Sequence, residues 1–237
     1  RDVAVTGVQT CALPICLENR FFLAIVKDED EARRLAGDLR FFLGESPDEP
    51  DFAGKSRVGL LLPDEATPYD TRRMLAFGRR KSELAAALFI QTQNFRPQVL
   101  VTSAWGAMRL YPPRDSIKKA AEYLSVKAEI QRAGLITRLV EGGYRSTQIV
   151  EDVGDFNVRG SIIDIFCPLY QHPLRLDFWG DEIESIRLVE PATQEALQNL
   201  NEAFVSPVRE LVLTAETRQL GRERIGVEGG VGEQQLA

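Results

Sequence analysis

The chain is short of the residues from which most catalytic and metal centres are built. Its 237 residues include one histidine, His172, and three cysteines, Cys11, Cys16 and Cys167. A single imidazole excludes His-rich metal sites. Three thiols exclude a disulfide framework, so a reducing cytoplasm is the expected compartment. No segment approaches the roughly 20 consecutive apolar residues of a bilayer-spanning helix. Cys11-x4-Cys16 has no second ligand pair behind it and does not read as a metal site. The string G-x4-G-K-[ST], whose backbone amides and lysine cradle phosphates, is absent, as are G-x-G-x-x-G and the nucleophile elbow G-x-S-x-G. His172 precedes Pro173 and reads as a surface-loop residue. With 29 Lys and Arg against 35 Asp and Glu, the net charge is −6, which argues against a whole-surface electrostatic grip on nucleic acid.

What is present is an ordinary globular balance, 44% hydrophobic and 27% charged, and enough length for one or two domains. Both ends look foreign to the rest. Residues 1–16, RDVAVTGVQTCALPIC, lack the apolar run of a signal peptide. They read as a non-native leader resembling a translated sequencing adapter, or else as a disordered leader. Residues 226–237 form a Gly-rich tail without periodicity. Between the ends, Phe21–Val26 reads as a buried strand. It feeds a helix with Ala32, Leu35, Leu39 and Phe42 on one face, capped by Asp28 or Asp30 and ended by Gly44. The acidic run Asp28–Glu31 therefore reads as a helix start, and Asp64-Glu65 as a loop after a strand. Val58–Leu62 is a second strand, 71–91 a helix, Val99–Thr102 a third strand and Trp105–Leu110 a short helix. Strands alternating with helices predict an α/β layer over 17–114.

The pattern changes after Pro113. Tyr123–Ile130 alternates as a half-buried strand, and 131–141 is a helix burying Leu135, Ile136, Leu139 and Val140. Short strands follow near 148–150, 156–159, 161–166 and 174–179. A turn at Gly180-Asp181 leads to a strand over 182–189. There Ile183, Ile186 and Leu188 do not keep one phase, which predicts a bulge. This is an inserted α+β antiparallel module over 115–200. Residues 201–225 begin a return towards the first layer, with strand character near 203–213. In Arg175-Leu176-Asp177-Phe178-Trp179, Leu176 and Phe178 share one face while Arg175, Asp177 and Trp179 share the other. Arg159 is in phase with Asn157. Trp and Arg exposed on a small sheet are the residue types most enriched at interface hot spots.

The strings Gly154-Asp155-Phe156, Val158-Arg159-Gly160, Ile163-Asp164-Ile165-Phe166 and Arg175-Leu176-Asp177-Phe178-Trp179, with Gly143-Tyr144 and Asp181-Glu182-Ile183, resemble the UvrB-like N-terminal region of bacterial transcription-repair coupling factors (the Mfd family). Upstream, Ala66-Thr67-Pro68-Tyr69-Asp70 and Val101-Thr102-Ser103-Ala104 resemble that family more than UvrB itself. The resemblance implies a partial helicase-like parallel-sheet domain interrupted by a UvrB domain 2-like module that docks UvrA, with Arg159, Arg175 and Trp179 matching UvrA-contacting positions. Many members carry Phe where Trp179 stands. Asp177 and Glu182 lie at the periphery of that surface. It also implies an interaction module without catalysis or cofactor in this fragment. ATP and Mg belong to the motor of the full-length parent, and RNA polymerase and DNA are partners of its downstream domains.

Three other readings stand beside this one. Arg159 and Arg175 could serve only as surface partners of Asp164, Asp177 or Glu184. A UvrB-like subunit with nucleotide-dependent DNA binding would carry its phosphate loop before Phe21. A direct DNA footprint would use the scatter of Lys118, Lys119, Lys127, Arg132, Arg138 and Arg145. Phe156, Ile163, Ile165 and Phe166 are expected in the core.

Overall fold

The computed structural model describes residues 21–45, 55–63, 77–94, 97–212, 219 and 221–223, with 77–80 described by their backbone. The leader, Asp64-Glu65, the string 66–70, the start of the 71–91 helix and the Gly-rich tail lie outside them.

The first layer is a parallel sheet of three strands in the order β1-β3-β2. They are β1 (Phe22–Val26), β2 (Val58–Leu61) and β3 (Val99–Ser103). β3 lies in the middle and all five of its residues are buried, the apolar Val99–Val101 together with the polar Thr102 and Ser103. Helix α1 (Glu29–Phe42) packs on this sheet with Ala32, Ala36 and Leu39. Asp28 caps it, its Oδ1 accepting the Glu31 N–H at 2.9 Å. Acids in the first turn favour the positive end of the helix dipole. β1 departs from the expected fully buried strand. It is an edge strand, and only Phe22, Ala24 and Val26 face α1, while Leu23 and Ile25 stay exposed. Helix α2 (Phe77–Thr92) and the short α3 (Ala104–Met108) complete the layer.

A helix absent from the sequence reading, α4 (Arg114–Lys119), leads into the second layer. Next comes β4 (Glu122–Ser125), shorter than the expected 123–130 strand. Lys127 adopts φ 70°, a left-handed turn that breaks the extended chain, and Glu129 then makes a lone bridge to Glu182. Helix α5 (Arg132–Glu141) buries Leu135 and Leu139, but Val140 faces solvent. The expected strand at 148–150 is instead the two-residue β5 (Arg145–Ser146).

The main sheet then runs β6 (Asp155–Arg159), β7 (Ile162–Ile165), β8 (Leu174–Trp179), β9 (Glu182–Val189) and β10 (Ala196–Leu200). Its order is β10-β9-β8-β7-β6-β5, antiparallel except for the β5–β6 pair. β10 was not legible in the sequence, because its residues are exposed and show no burial rhythm. The predicted bulge lies in β9: Asp177 pairs with Ser185 but Phe178 pairs with Ile183, so Glu184 is skipped. This lets Ile183, Ile186 and Leu188 all be buried. Phe156, Ile163, Ile165 and Phe166 are in the core as expected.

The chain returns from the antiparallel sheet to the segment that led into it. β11 (Glu202–Val205) pairs with β4, and Glu210 meets Arg109 at 2.5 Å. The buried Tyr144 hydroxyl donates to the Ser206 carbonyl at 2.7 Å, and burial pushes its pKa well up. One hydrophobic cluster joins the layers, from Leu61, Leu84 and Phe89 to Leu124, Ile163 and Leu176. At the joint the Phe89 ring of α2 lies 5.8 Å from that of Phe204.

Phe89→Ala should therefore lower stability by about 3–5 kcal/mol, as for other buried phenylalanines. Urea denaturation would read this as a lower midpoint; a loss below about 1 kcal/mol would contradict the packing of α2 on β11.

Candidate protein-docking surface

The period-two alternation of strands separates the two faces of β8. Leu174, Leu176 and Phe178 point into the core, and Arg175, Asp177 and Trp179 point out. β7 places Asp164 directly opposite Arg175, and Asn157 of β6 stands on its other side. Arg159, two residues beyond Asn157, is on the same outer face.

Asp164 is shared between the two arginines. Arg175 donates through Nε to Oδ1 at 2.7 Å and through Nη2 to Oδ2 at 2.9 Å. Arg159 donates through Nη2 to Oδ2 at 2.6 Å. The carboxylate is buried although it lies on the solvent-facing side, because the guanidiniums cover it. Paired in this way, the buried charge escapes the penalty of an unpaired one. The Asp164 hydrogen bond, more than the nearby charges, raises the pKa of Arg175. Arg175 also donates to Gln194 Oε1 at 2.5 Å. Gln194 lies in the turn before β10 at φ 62°, its own side-chain amide held by the Pro191 carbonyl at 2.8 Å.

The three residues named from the sequence thus share a face but differ in state. The Arg175 side chain is only 14% exposed, whereas that of Arg159 is 53% exposed. Trp179 is 80% exposed at the far end of β8, beside the Gly180 turn. Four residues of strand put it roughly 13 Å along the sheet from Arg175. The expectation that both arginines pair within the sheet also holds, with Asp164 as the partner. Asp177 is taken instead by Arg187 and by the Ser185 hydroxyl at 2.7 Å. Glu182 stands opposite Trp179 in register and is exposed.

Next to the arginines opens a cleft of about 370 Å³, lined by Ile149, Asn157, Arg159, Arg175, Pro191 and Gln194 among others. The sequence reading did not find it. Its walls are the loop before β6 and the turn before β10, which carry no periodic signal. The shared role of Asp164 was half legible, as the one acid in the run Ile162–Ile165.

Several of the scattered cations serve the fold. Arg145 binds Asp155 at 2.8 Å, Arg138 binds Glu122, and Arg132 donates to the Gly160 carbonyl at 2.5 Å and lies over the Phe178 ring. His172 sits 3.5 Å from Glu190. Among the described residues no group of three His, Cys, Asp or Glu is placed to hold a metal ion. Among them, too, no helix is long and apolar enough to cross a membrane.

Residues 123–211 match the UvrB interaction domain family. Over 196 residues the chain is 39% identical to a transcription-repair-coupling factor of Myxococcus xanthus, covering 83% of this chain and 16% of that protein. It is 34% identical over 202 residues to the transcription-repair-coupling factor of Mycobacterium bovis, covering 83% and 15% respectively. The Bacillus subtilis factor is 29% identical over 132 residues, covering 56% of this chain and 11% of that protein. The chain thus spans about one sixth of the length of the Myxococcus relative.

With Trp105 replaced by Phe, Trp179 is the sole indole, since the chain has two tryptophans. Its emission should be that of a solvated indole and should be quenched efficiently by acrylamide. A blue-shifted, protected emission would contradict the exposed position.

Proposed function

We infer, from a chain whose residues 123–211 match the UvrB interaction domain and 83% of which aligns with part of the transcription-repair-coupling factors, that this fragment is a docking module for UvrA. The observation that carries the reading is the outer face of β6, β7 and β8. It holds a half-exposed arginine, an anchored arginine and a solvated tryptophan on a sheet whose other face is core. A sheet surface of this kind binds by desolvating a few large side chains, and Trp and Arg are the types most enriched at such hot spots. No bond is made or broken at this surface. Recruitment of UvrA to stalled RNA polymerase in nucleotide-excision repair would follow from coupling it to the rest of the parent protein. ATP, Mg, polymerase and DNA would be engaged there, in the bacterial cytoplasm.

The module is assigned to 115–200, carried by an α/β layer over 17–114 and followed by a return segment. The adjacent entry and exit at Arg109 and Glu210 support an insertion. The engagement of Arg132, Arg138 and Arg145 within the fold supports docking over a DNA footprint.

Trp179→Ala and Arg159→Ala should each weaken UvrA binding by about 2 kcal/mol, roughly 30-fold, and Trp179→Ala should do so with little change in stability because its side chain is solvated. Calorimetric titration with purified UvrA checks this. Unchanged affinity in both variants would remove the surface from the account, and steeply salt-dependent duplex binding would favour direct DNA recognition instead.

A further inference from the structure

Two guanidiniums that converge on one face repel each other, and each flexible arginine side chain loses rotamer entropy in any contact that must immobilise it. Both costs are already met here before a partner arrives. Asp164 takes two hydrogen bonds from Arg175 and one from Arg159, and Gln194 takes a further one from Arg175. The carboxylate lines the cleft but is almost wholly buried beneath the two arginines, so its effect on binding passes chiefly through them. Arg159 spends one nitrogen on Asp164, and its other two carry no hydrogen bond among the described residues. The trio of two cations and one anion carries one surplus positive charge; Glu151 also lines the adjoining cleft, which has room for a partner side chain beside Arg159.

We propose that Asp164 is the positioning residue of this surface: by sharing its carboxylate between Arg159 and Arg175, it holds the Arg159 guanidinium at the cleft mouth in the orientation that receives a carboxylate from the partner. This rests on the docking role argued above. Preorganisation of this kind raises affinity by removing ordering costs from the binding step, and a fixed guanidinium can grip a carboxylate through two parallel hydrogen bonds. Gln194 acts on the same network from the side of the turn.

The proposal and plain charge complementarity predict opposite signs. Asp164→Asn makes the face more positive, so attraction to an acidic partner would rise if charge alone mattered. If Asp164 positions the arginines, binding falls. The test uses the full 237-residue chain and purified UvrA in calorimetric titration, with thermal unfolding as a folding check. Asp164→Asn is expected to bind at least tenfold more weakly. In an Arg175→Ala background the same substitution should cost much less, because residues of one network are not additive. Affinity that is unchanged or tighter in Asp164→Asn would overturn the proposal. So would an equal loss in both backgrounds, which would mark a general structural effect. If Asp164→Asn does not fold, Gln194→Ala at the exposed turn takes its place. There a several-fold loss supports the proposal, and unchanged binding overturns it. If Trp179→Ala and Arg159→Ala lose affinity while Asp164→Asn does not, the docking reading stands and only the positioning role falls.

Discussion

The structure of the second layer depends on a register constraint. In β8 the side chains that pack the core and those that face solvent alternate without interruption, and the core side is filled by Leu174, Leu176 and Phe178. A slip of one residue would turn those three outward and drive Arg175 and Asp177 into an apolar interior. Burial of the inner face therefore specifies the outer one. β7 is pinned in the same way by Ile163 and Ile165, which leaves Asp164 on the outer face opposite Arg175. The bulge at Glu184 serves the same end in β9, bringing Ile183 back into phase with the core. The arginine pair and its shared carboxylate are consequences of how the sheet buries its other side.

That sheet is held by its surroundings as a platform. Phe89 and Phe204 join the neighbouring β4–β11 pair to the α/β layer, one hydrophobic cluster runs from there into the sheet, and the Arg109–Glu210 contact brings the two connecting segments together. Tyr144 ties the end of α5 to the segment leaving β11. A surface positioned at several points loses little freedom when a partner binds. This is the physical advantage of placing an interaction site on strands rather than on loops.

The parts of this arrangement that were legible in the sequence are those in which burial leaves a rhythm. β8 and β9 have the expected bounds, and α1 has its expected cap, because an amphipathic period and an Asp before an acidic turn are local signals. The outward placement of Arg159, Arg175 and Trp179 followed from the same alternation. What escaped was non-local or unpatterned. β10 is exposed on nearly every residue, so neither face announced it. The strand expected across 123–130 ends at Ser125, and the left-handed Lys127 just beyond it breaks the alternation. The continuous apolar run of β1 suggested burial on both faces, but at a sheet edge only one face is covered among the described residues. The cleft beside the arginines is formed by two segments about 40 residues apart, and no local period encodes such a meeting.

The proposed docking role rests on one claim, that the outer face of β6, β7 and β8 is the surface that would meet UvrA. The most direct measurement is a nuclear magnetic resonance titration of the labelled chain with UvrA, following the Trp179 indole N–H together with the arginine Nε–H signals and the backbone amides. The account predicts that the strongest changes centre on Trp179, Arg159 and Arg175 and spare the exposed face around Leu23, Ile25 and Trp105. A footprint confined to that other face, with Trp179 and both arginines unmoved at saturating UvrA, would contradict it.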